Sequence, residues 1–218
     1  MKKLLPLTAI LSVILLSSCA VGRKLSFENS PADPGYKPAG KVALVFQDKR
    51  EEVLNGKEKQ SFCGHVYGGY AIAYNVQTQS GKPLSQDFSL ALQKSLQDKG
   101  VPVTVYTIEP AEDIQKVTEQ FIQSGYDKLL CFTITRWESR CTSNFANMRY
   151  EANGGFVLKV MDKNGTTLAE QDVKDQLVRE QGAGVNMKVL QAEGDQLFKQ
   201  LMQQLLNHEK IKSTLQSQ

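Results

Sequence analysis

The spacing of apolar residues along the chain predicts a series of helices and strands. Residues 42–46 are apolar at consecutive positions, so both faces of this segment would be buried, as in a central strand of a sheet. In residues 84–96 the apolar positions recur every three or four residues, which predicts an amphipathic helix. The same spacing predicts further helices over residues 114–121 and 190–205.

Shorter patterns between these segments predict the remaining strands. Valines alternate at 101–105, which predicts a short strand. The apolar run at 126–138 predicts a long strand. Residues 149–178 read as two strands joined by a hairpin turn at Asn164-Gly165. We therefore predict an α/β (α+β mixed) fold with a single mixed β-sheet of five to six strands and three packed helices.

The beginning of the chain has the pattern of a secretory signal. Lys2 and Lys3 precede thirteen mostly apolar residues, 4–16. A membrane-spanning helix needs about 20 apolar residues. The short apolar run after two cations therefore indicates a signal peptide rather than a membrane span.

The stretch LSSC at residues 16–19 resembles the bacterial lipobox. The resemblance implies that the thiol of Cys19 receives a diacylglycerol, that the chain is cut before Cys19, and that the new amine is acylated, for example with palmitate. Ala20 stands where an aspartate would retain the protein in the inner membrane. The implied location is the periplasmic face of the outer membrane. The alternative is an ordinary signal peptide whose cysteine later pairs in a disulfide.

These patterns divide the chain into four parts. Residues 1–18 are predicted to be the lipoprotein signal peptide, and 19–40 the lipidated cysteine with a Pro- and Gly-rich tether. Residues 41–208 are predicted to form a single α/β domain, because they are numerous enough for one well-buried core. Residues 209–218 are predicted to be a polar tail.

The charge of the chain argues against a nucleic-acid partner. The formal net charge is +3, and removal of the signal peptide with its two lysines leaves +1. A nearly neutral domain lacks the basic footprint that nucleic acids require.

Three cysteines follow Cys19. Cys131 lies in the apolar run KLLCFTI and is predicted to be a buried thiol. Cys63 and Cys141 lie in more polar surroundings, and disulfides persist in the oxidising envelope. We therefore predict a Cys63–Cys141 disulfide.

Several aromatic residues are candidates for a partner surface. Tyr67, Tyr70 and Tyr74 lie in the glycine-rich stretch GHVYGGYAIAY, where they either pack in the core or present a rigid contact area. Trp137 lies among arginines and is either half-buried in a strand or part of an aromatic and basic patch. The glycines of this stretch are predicted to allow a tight chain path.

Two other pairs of residues are candidates for ligand binding or catalysis. Asp48 and Arg50 end the first central strand, where they form either an exposed ion pair or part of a ligand site. Cys63 and His65 lie two residues apart, close enough for a thiol and its base on one face of a strand. A zinc site needs three or four protein ligands, so we predict neither a metal nor another cofactor.

The chain from 41 to 206 resembles small bacterial envelope lipoproteins of the YajG type. The resemblance is carried by VALVFQDKR, which ends in Asp-x-Arg, by the glycine-rich segment before the first helix, and by KSLQ leading to Gly100 and a valine strand. It implies a lipid-anchored periplasmic α/β domain without established enzymatic activity.

We therefore expect a non-enzymatic binding or envelope-assembly module. Its expected partners are the membrane, through the N-terminal lipid, and another envelope protein. The alternative is a thiol-dependent hydrolase or other enzyme that uses Cys63 and His65. A copper or haem carrier is a third hypothesis.

Overall fold

The structure, a computed structural model, describes residues 23–217 except 31, 69, 70, 145 and 183. This part of the chain contains eight strands and five helices. The strands are β1 (Lys24–Leu25), β2 (Val42–Asp48), β3 (Phe62–Tyr67), β4 (Ala73–Thr78), β5 (Val103–Tyr106), β6 (Lys128–Asn144), β7 (Asn147–Asp162) and β8 (Thr167–Gln181). The helices are α1 (Glu51–Leu54), α2 (Leu84–Gln97), α3 (Gln115–Ile122), α4 (Met187–Asn207) and α5 (Glu209–Gln216).

The predicted mixed α/β fold with one mixed sheet is confirmed, but the predicted numbers of strands and helices are too low. The glycine-rich segment forms two antiparallel strands, β3 and β4, and β1 adds a strand at the edge. The additional helices, α1 and α5, are short. The three predicted helices are α2, α3 and α4, and the predicted turn at Asn164-Gly165 joins β7 to β8.

Strand β6 is the centre of the sheet. β7 pairs with it in antiparallel fashion from Lys128 to Asn144, along one whole edge. The other edge is shared, because β2 pairs with residues 128–134 and β3 with residues 139–141, both in parallel. A strand has only two edges, so β2 and β3 must lie end to end along the same side of β6.

The sheet has a large core on one face and a small core on the other. α2 and α4 cover the main core, where seven aromatic side chains pack together: Phe27, Phe46, Phe88, Phe132, Trp137, Phe156 and Phe198. α3 covers a smaller cluster that includes Val45, Phe121 and Cys131. β2 contributes to both cores, which explains why all seven of its residues are buried.

The described part of the predicted tether belongs to the folded body. Leu25 and Phe27 are fully buried, and the Phe27 ring lies 5.3 Å from that of Trp137. The backbone of Ser26 exchanges two hydrogen bonds with the Gln191 amide of α4, at 2.7 and 2.8 Å. The free tether predicted to reach residue 40 is therefore wrong from Lys24 onward, because isolated apolar residues in this segment fill the main core.

The predicted polar tail also packs on the body. Residues 209–216 form α5, in which Ile211 and Leu215 are fully buried. The Leu215 carbonyl accepts a hydrogen bond from the backbone of Ala39 at 2.8 Å. Two apolar residues four positions apart are enough to give a short helix a buried side, although most of its residues are polar.

Candidate functional site

The shared edge of β6 contains a gap between β2 and β3. The last β2 pair joins Asp48 to Ile134, and the first β3 pair joins Gly64 to Ser139. Residues 135–138 of β6 therefore have no strand beside them on this edge in the described structure. We call this place the junction. Its buried backbone groups need hydrogen-bond partners from elsewhere.

Arg50, at the centre of the junction, supplies one of those partners. Its guanidinium donates to both carboxylate oxygens of Asp48, from Nε at 2.9 Å and from Nη2 at 2.7 Å. Its Nη1 donates to the carbonyl oxygens of Phe62 in β3, at 3.0 Å, and Trp137 in β6, at 3.2 Å. The planar guanidinium can make all four bonds because its donors point outward in a fixed fork.

The Asp48–Arg50 pair is therefore not the exposed ion pair of the sequence prediction. Asp48 is 1% exposed and Arg50 is 0% exposed. The pair lies at the carboxyl end of β2, as the sequence suggests, but its charges are used to join three strands. A buried pair of this kind is costly to break, because either partner alone would be an uncompensated charge.

Gly64 brings β3 close to β6 beside the junction. Its φ is +152°, and an added Cβ would lie 1.8 Å from the carbonyl oxygen of Ser139. The β3–β4 register shifts between Phe62 and Gly64. The predicted tight path through the glycine-rich stretch is confirmed at this residue, because only glycine fits both the conformation and the space.

A pocket of about 310 Å³ opens beside the junction. Its walls come from α1 and the loop after it, from β3, and from the gap residues of β6. The lining residues are Glu52, Lys57, Glu58, Phe62, His65, Arg136, Trp137 and Glu138. We call it the junction pocket.

A histidine and a glutamate form the polar centre of the junction pocket. Nδ1 of His65 lies 3.1 Å from Oε1 of Glu138, and both side chains are about one-fifth exposed. Glu138 also accepts hydrogen bonds from Arg140. The Phe62 ring lies 4.9 Å from the imidazole and holds it on one side. With Nδ1 as donor to the carboxylate, Nε2 is the acceptor nitrogen of the ring.

This arrangement can bind a polar group. The lining offers carboxylates, a guanidinium, an ammonium and an oriented imidazole next to an aromatic ring. Among the described residues, those that line the pocket include no serine, threonine or cysteine that could act as a nucleophile next to His65. Within the described residues, no three His, Cys, Asp or Glu side chains are grouped so as to hold a metal ion.

The Cys63–His65 pair of the alternative hypothesis does not come together. Cys63 is fully buried in the main core, whereas His65 lines the pocket on the outer side. Burial raises the pKa of the Cys63 thiol far above its usual value, so the reactive thiolate is disfavoured. The shift in register near Gly64 is the reason, because it changes which residues of β3 point inward.

The predicted Cys63–Cys141 disulfide is wrong. Cys63, Cys131 and Cys141 are all free and buried. Cys141 pairs with Val66, three residues beyond Cys63 along β3. Three residues of strand span about 10 Å, and a disulfide needs Cα atoms within about 7 Å. The predicted burial of Cys131 is confirmed, and it raises the pKa of that thiol to about 12.

All three thiols should be protected in the folded protein. We expect iodoacetamide to leave them unmodified under native conditions and to modify all three after unfolding in urea without reductant, because burial excludes the reagent. Mass spectrometry of the alkylated protein measures this. A Leu168→Cys variant, exposed at 40%, is the control and should react while folded. Modification of only one of the three native thiols after unfolding would show a disulfide and contradict the structure.

The four predicted partner-surface residues have different positions. Trp137 is 1% exposed and packs against Phe27 and Phe88, so it belongs to the core and not to a surface. Tyr67 is half-buried, and Tyr74 is 37% exposed with Arg23 over its ring at 3.8 Å. Tyr70 lies outside the described residues.

The lipidation candidate, Cys19, also lies outside the described residues. In the part of the chain that the structure describes, no helix has the length and apolar character needed to cross a membrane.

Sequence reasoning missed Glu138 and the gap that exposes it. Glu138 and Arg140 lie two residues apart on β6, which places both on one face, and this alternation is visible in the sequence. Their meeting with His65, 73 residues earlier, is set only by the pairing of β3 with β6.

The sequence matches no protein-family description and no curated protein. Several solved structures are similar to the chain, and they include bacterial lipoproteins. Lipoprotein GNA1162 from Neisseria meningitidis is 13% identical, with 74% of this chain and 96% of that chain covered and a TM-score of 0.36. The PelC dodecamer from Paraburkholderia phytofirmans is 14% identical, with coverage of 85% and 94% and a TM-score of 0.38. A minor lipoprotein from Acinetobacter baumannii is 10% identical, with coverage of 82% and 96% and a TM-score of 0.38. TM-scores below 0.5 do not establish a common fold.

Proposed function

We propose that this chain is a lipid-anchored protein of the bacterial cell envelope, held on the periplasmic face of the outer membrane, where it acts as a non-enzymatic binding or assembly module. The stretch LSSC at 16–19 supports acylation at Cys19, and Ala20 supports sorting to the outer membrane. Each buried CH₂ of an acyl chain contributes about 0.8 kcal/mol, so two or more chains on one cysteine give a stable anchor.

One structural observation carries this proposal. The packed body begins at Lys24, where β1 joins the sheet, only five residues after Cys19. Five residues span at most about 18 Å even when fully extended. An acylated Cys19 would therefore hold the body beside the bilayer, with no long tether between them.

The junction pocket and Tyr67 beside it are the proposed contact region for a partner. The pocket is lined mainly by charged side chains, and Tyr67 adds aromatic area on β3, where its ring lies 5.9 Å from that of His65. Tyrosine at a protein interface combines a large apolar surface with a hydrogen-bonding hydroxyl. We propose another envelope protein as the partner.

Replacing Cys19 with alanine tests the anchor. We expect the Cys19→Ala variant to lose incorporation of labelled palmitate and to keep its signal peptide, because the thiol that carries the lipid is absent. Labelling in growing cells followed by immunoprecipitation measures both effects. The matched control is Ser18→Ala, which preserves a small residue at the cleavage site and should be labelled like the parent. Normal labelling of the Cys19→Ala variant would refute the anchor.

A further inference from the structure

The direction of β1 shows at which end of the sheet the N-terminal part of the chain joins the folded body. β1 runs parallel to β4 and pairs Lys24 with Gln77, so residues before Lys24 approach from the side where β4 begins. The backbone bond from Gly68 to Ile72, at 2.9 Å, extends the β3–β4 hairpin beyond Tyr67 on that side. The chain entry and the tip of the β3–β4 hairpin therefore lie at the same end of the sheet.

Two other connections lie at this end. β3 runs parallel to β6, so the turn from β6 to β7 is on the same side as the hairpin tip. β8 finishes there as well, because Gln181 pairs with Met148 near the start of β7. The Tyr150 hydroxyl fixes the loop into α4, since it donates to the Gly184 carbonyl and accepts from the Asn186 backbone.

The exposed side chains at this end include apolar, aromatic and basic groups, together with polar and acidic ones such as Asn147, Glu180 and Gln181. Ile72 is 51% exposed and Val185 is 48% exposed, the two highest values among the large hydrophobic residues of the described chain. Tyr74 is 37% exposed, and Lys24 at the start of β1 and Lys188 in the first turn of α4 are exposed as well. We call Lys24, Ile72, Tyr74, Val185 and Lys188 the entry surface. Apolar and aromatic groups beside lysines suit the boundary between anionic headgroups and acyl chains.

Chain length brings the entry surface to the bilayer. Ile72 lies five residues before Gln77, so it extends about 16 Å beyond the level of Lys24. Cys19 lies five residues before Lys24 and is at most about 18 Å from it. These two distances are nearly equal. When the acylated residue sits at the membrane surface, the hairpin tip can reach the same surface.

We propose that the entry surface rests on the lipid bilayer, with Ile72, Tyr74 and Val185 in the interface and the two lysines beside anionic headgroups. This inference rests on the proposed lipid anchor and adds a second contact, which fixes how the body is oriented. The opposite end of the sheet, with the β7–β8 turn and Leu168 beside it, then faces away from the membrane. The junction pocket lies on the body between these two ends.

A fluorescent label at single new cysteines tests this orientation. The lipidated full chain is prepared as Ile72→Cys, Val185→Cys and the matched control Leu168→Cys. Each new thiol is labelled with an NBD group under native conditions, because the native thiols are buried. The proteins are added from detergent to vesicles of phosphatidylethanolamine and phosphatidylglycerol that contain nitroxide-labelled lipids. Interfacial groups sit about 5–10 Å into the headgroup boundary, so labels at 72 and 185 should be quenched roughly twofold or more relative to 168.

The outcomes separate this inference from the proposed function. Equal quenching at positions 72 and 168, in protein that floats with the vesicles, would overturn the bilayer contact and leave the entry surface to a protein partner. A protein that fails to float lacks its lipid anchor, which refutes the proposed function and the inference together. Unchanged thermal unfolding midpoints of the three variants verify that the label sites have not altered the fold.

Discussion

Replacing Arg50 with methionine should lower the free energy of unfolding by about 3–5 kcal/mol, the cost of leaving one partner of a buried ion pair alone. The variant leaves the Asp48 carboxylate without its guanidinium and removes the donor to two buried carbonyl groups, those of Phe62 and Trp137. In a chain of this size we expect the unfolding midpoint to fall by about 6–20 °C. Urea denaturation and thermal scans in the same detergent measure both quantities.

Arg136→Met is the matched control for this prediction. Arg136 is also an arginine of the junction pocket, but it is exposed, so its replacement should change the unfolding free energy by about 0.5 kcal/mol or less. An Arg50→Lys variant should fall between the two, because it keeps the charge and loses the fork of donors. If Arg50→Met and Arg136→Met were equally stable, Arg50 would not join the strands as described.

Gly64→Ala, which adds a single methyl group, should destabilise the fold more than any other such addition near the site. The new Cβ would be 1.8 Å from the Ser139 carbonyl oxygen and 2.7 Å from the Ser139 nitrogen, and these are backbone atoms that cannot rotate away. The strands would have to separate where β3 meets β6. We expect a loss of more than about 4 kcal/mol, or failure to accumulate folded protein, which soluble yield and urea denaturation measure.

Gly56→Ala is the control that separates the clash of the added Cβ from the strain of a positive φ at a residue other than glycine. Gly56 has a φ of +74°, and an added Cβ would have nothing within 4 Å. Only the strain of a left-handed alanine remains, which costs about 1–2 kcal/mol. Equal losses in the two alanine variants would mean that the contact between Gly64 and Ser139 is not the cause.

The parts of the fold that the sequence predicts well are those with a local period. β2 is apolar at consecutive positions because it lies between two cores, and α2 and α4 show a single buried stripe. The pair Asn164-Gly165 predicts the turn correctly because hairpin turns need a positive φ, which Gly165 adopts. In each case the signal and the structure lie within the same few residues.

The parts that the sequence does not predict depend on distant residues. Phe27 is one of two aromatic residues, with Tyr36, in a Pro- and Gly-rich segment, and only the space between α2, α4 and Trp137 explains its burial. Ile211 and Leu215 are equally isolated in a polar segment. Charged residues are usually exposed, so the residues near Arg50 in the sequence do not predict its burial. The two carbonyl groups that accept its hydrogen bonds lie 12 and 87 residues later.

The candidate site also combines a feature that is visible in the local sequence with features that depend on distant residues. His65 stands out in the sequence because histidine is rare in this chain, with two in all. Its partner Glu138 and the junction pocket result from the gap between β2 and β3, which exists only in the assembled sheet. The same assembly places Cys63 in the core and so separates the thiol from the imidazole.

The proposed lipid anchor at Cys19 would lie only five residues before β1. A tether of 21 flexible residues would let the body sample about 25 Å above the bilayer, without a preferred face. Because Lys24 already pairs in the sheet, only five residues separate it from Cys19, and the proposed anchor would place the end that carries Ile72 next to the membrane.

Mass spectrometry of the first peptide of the mature protein, extracted from cell envelopes, tests this account most directly. We expect Cys19 to be the first residue and to carry a diacylglycerol on its sulfur and an acyl chain on its amine. An unmodified Cys19, or a peptide that still contains residues from 1–18, would contradict it.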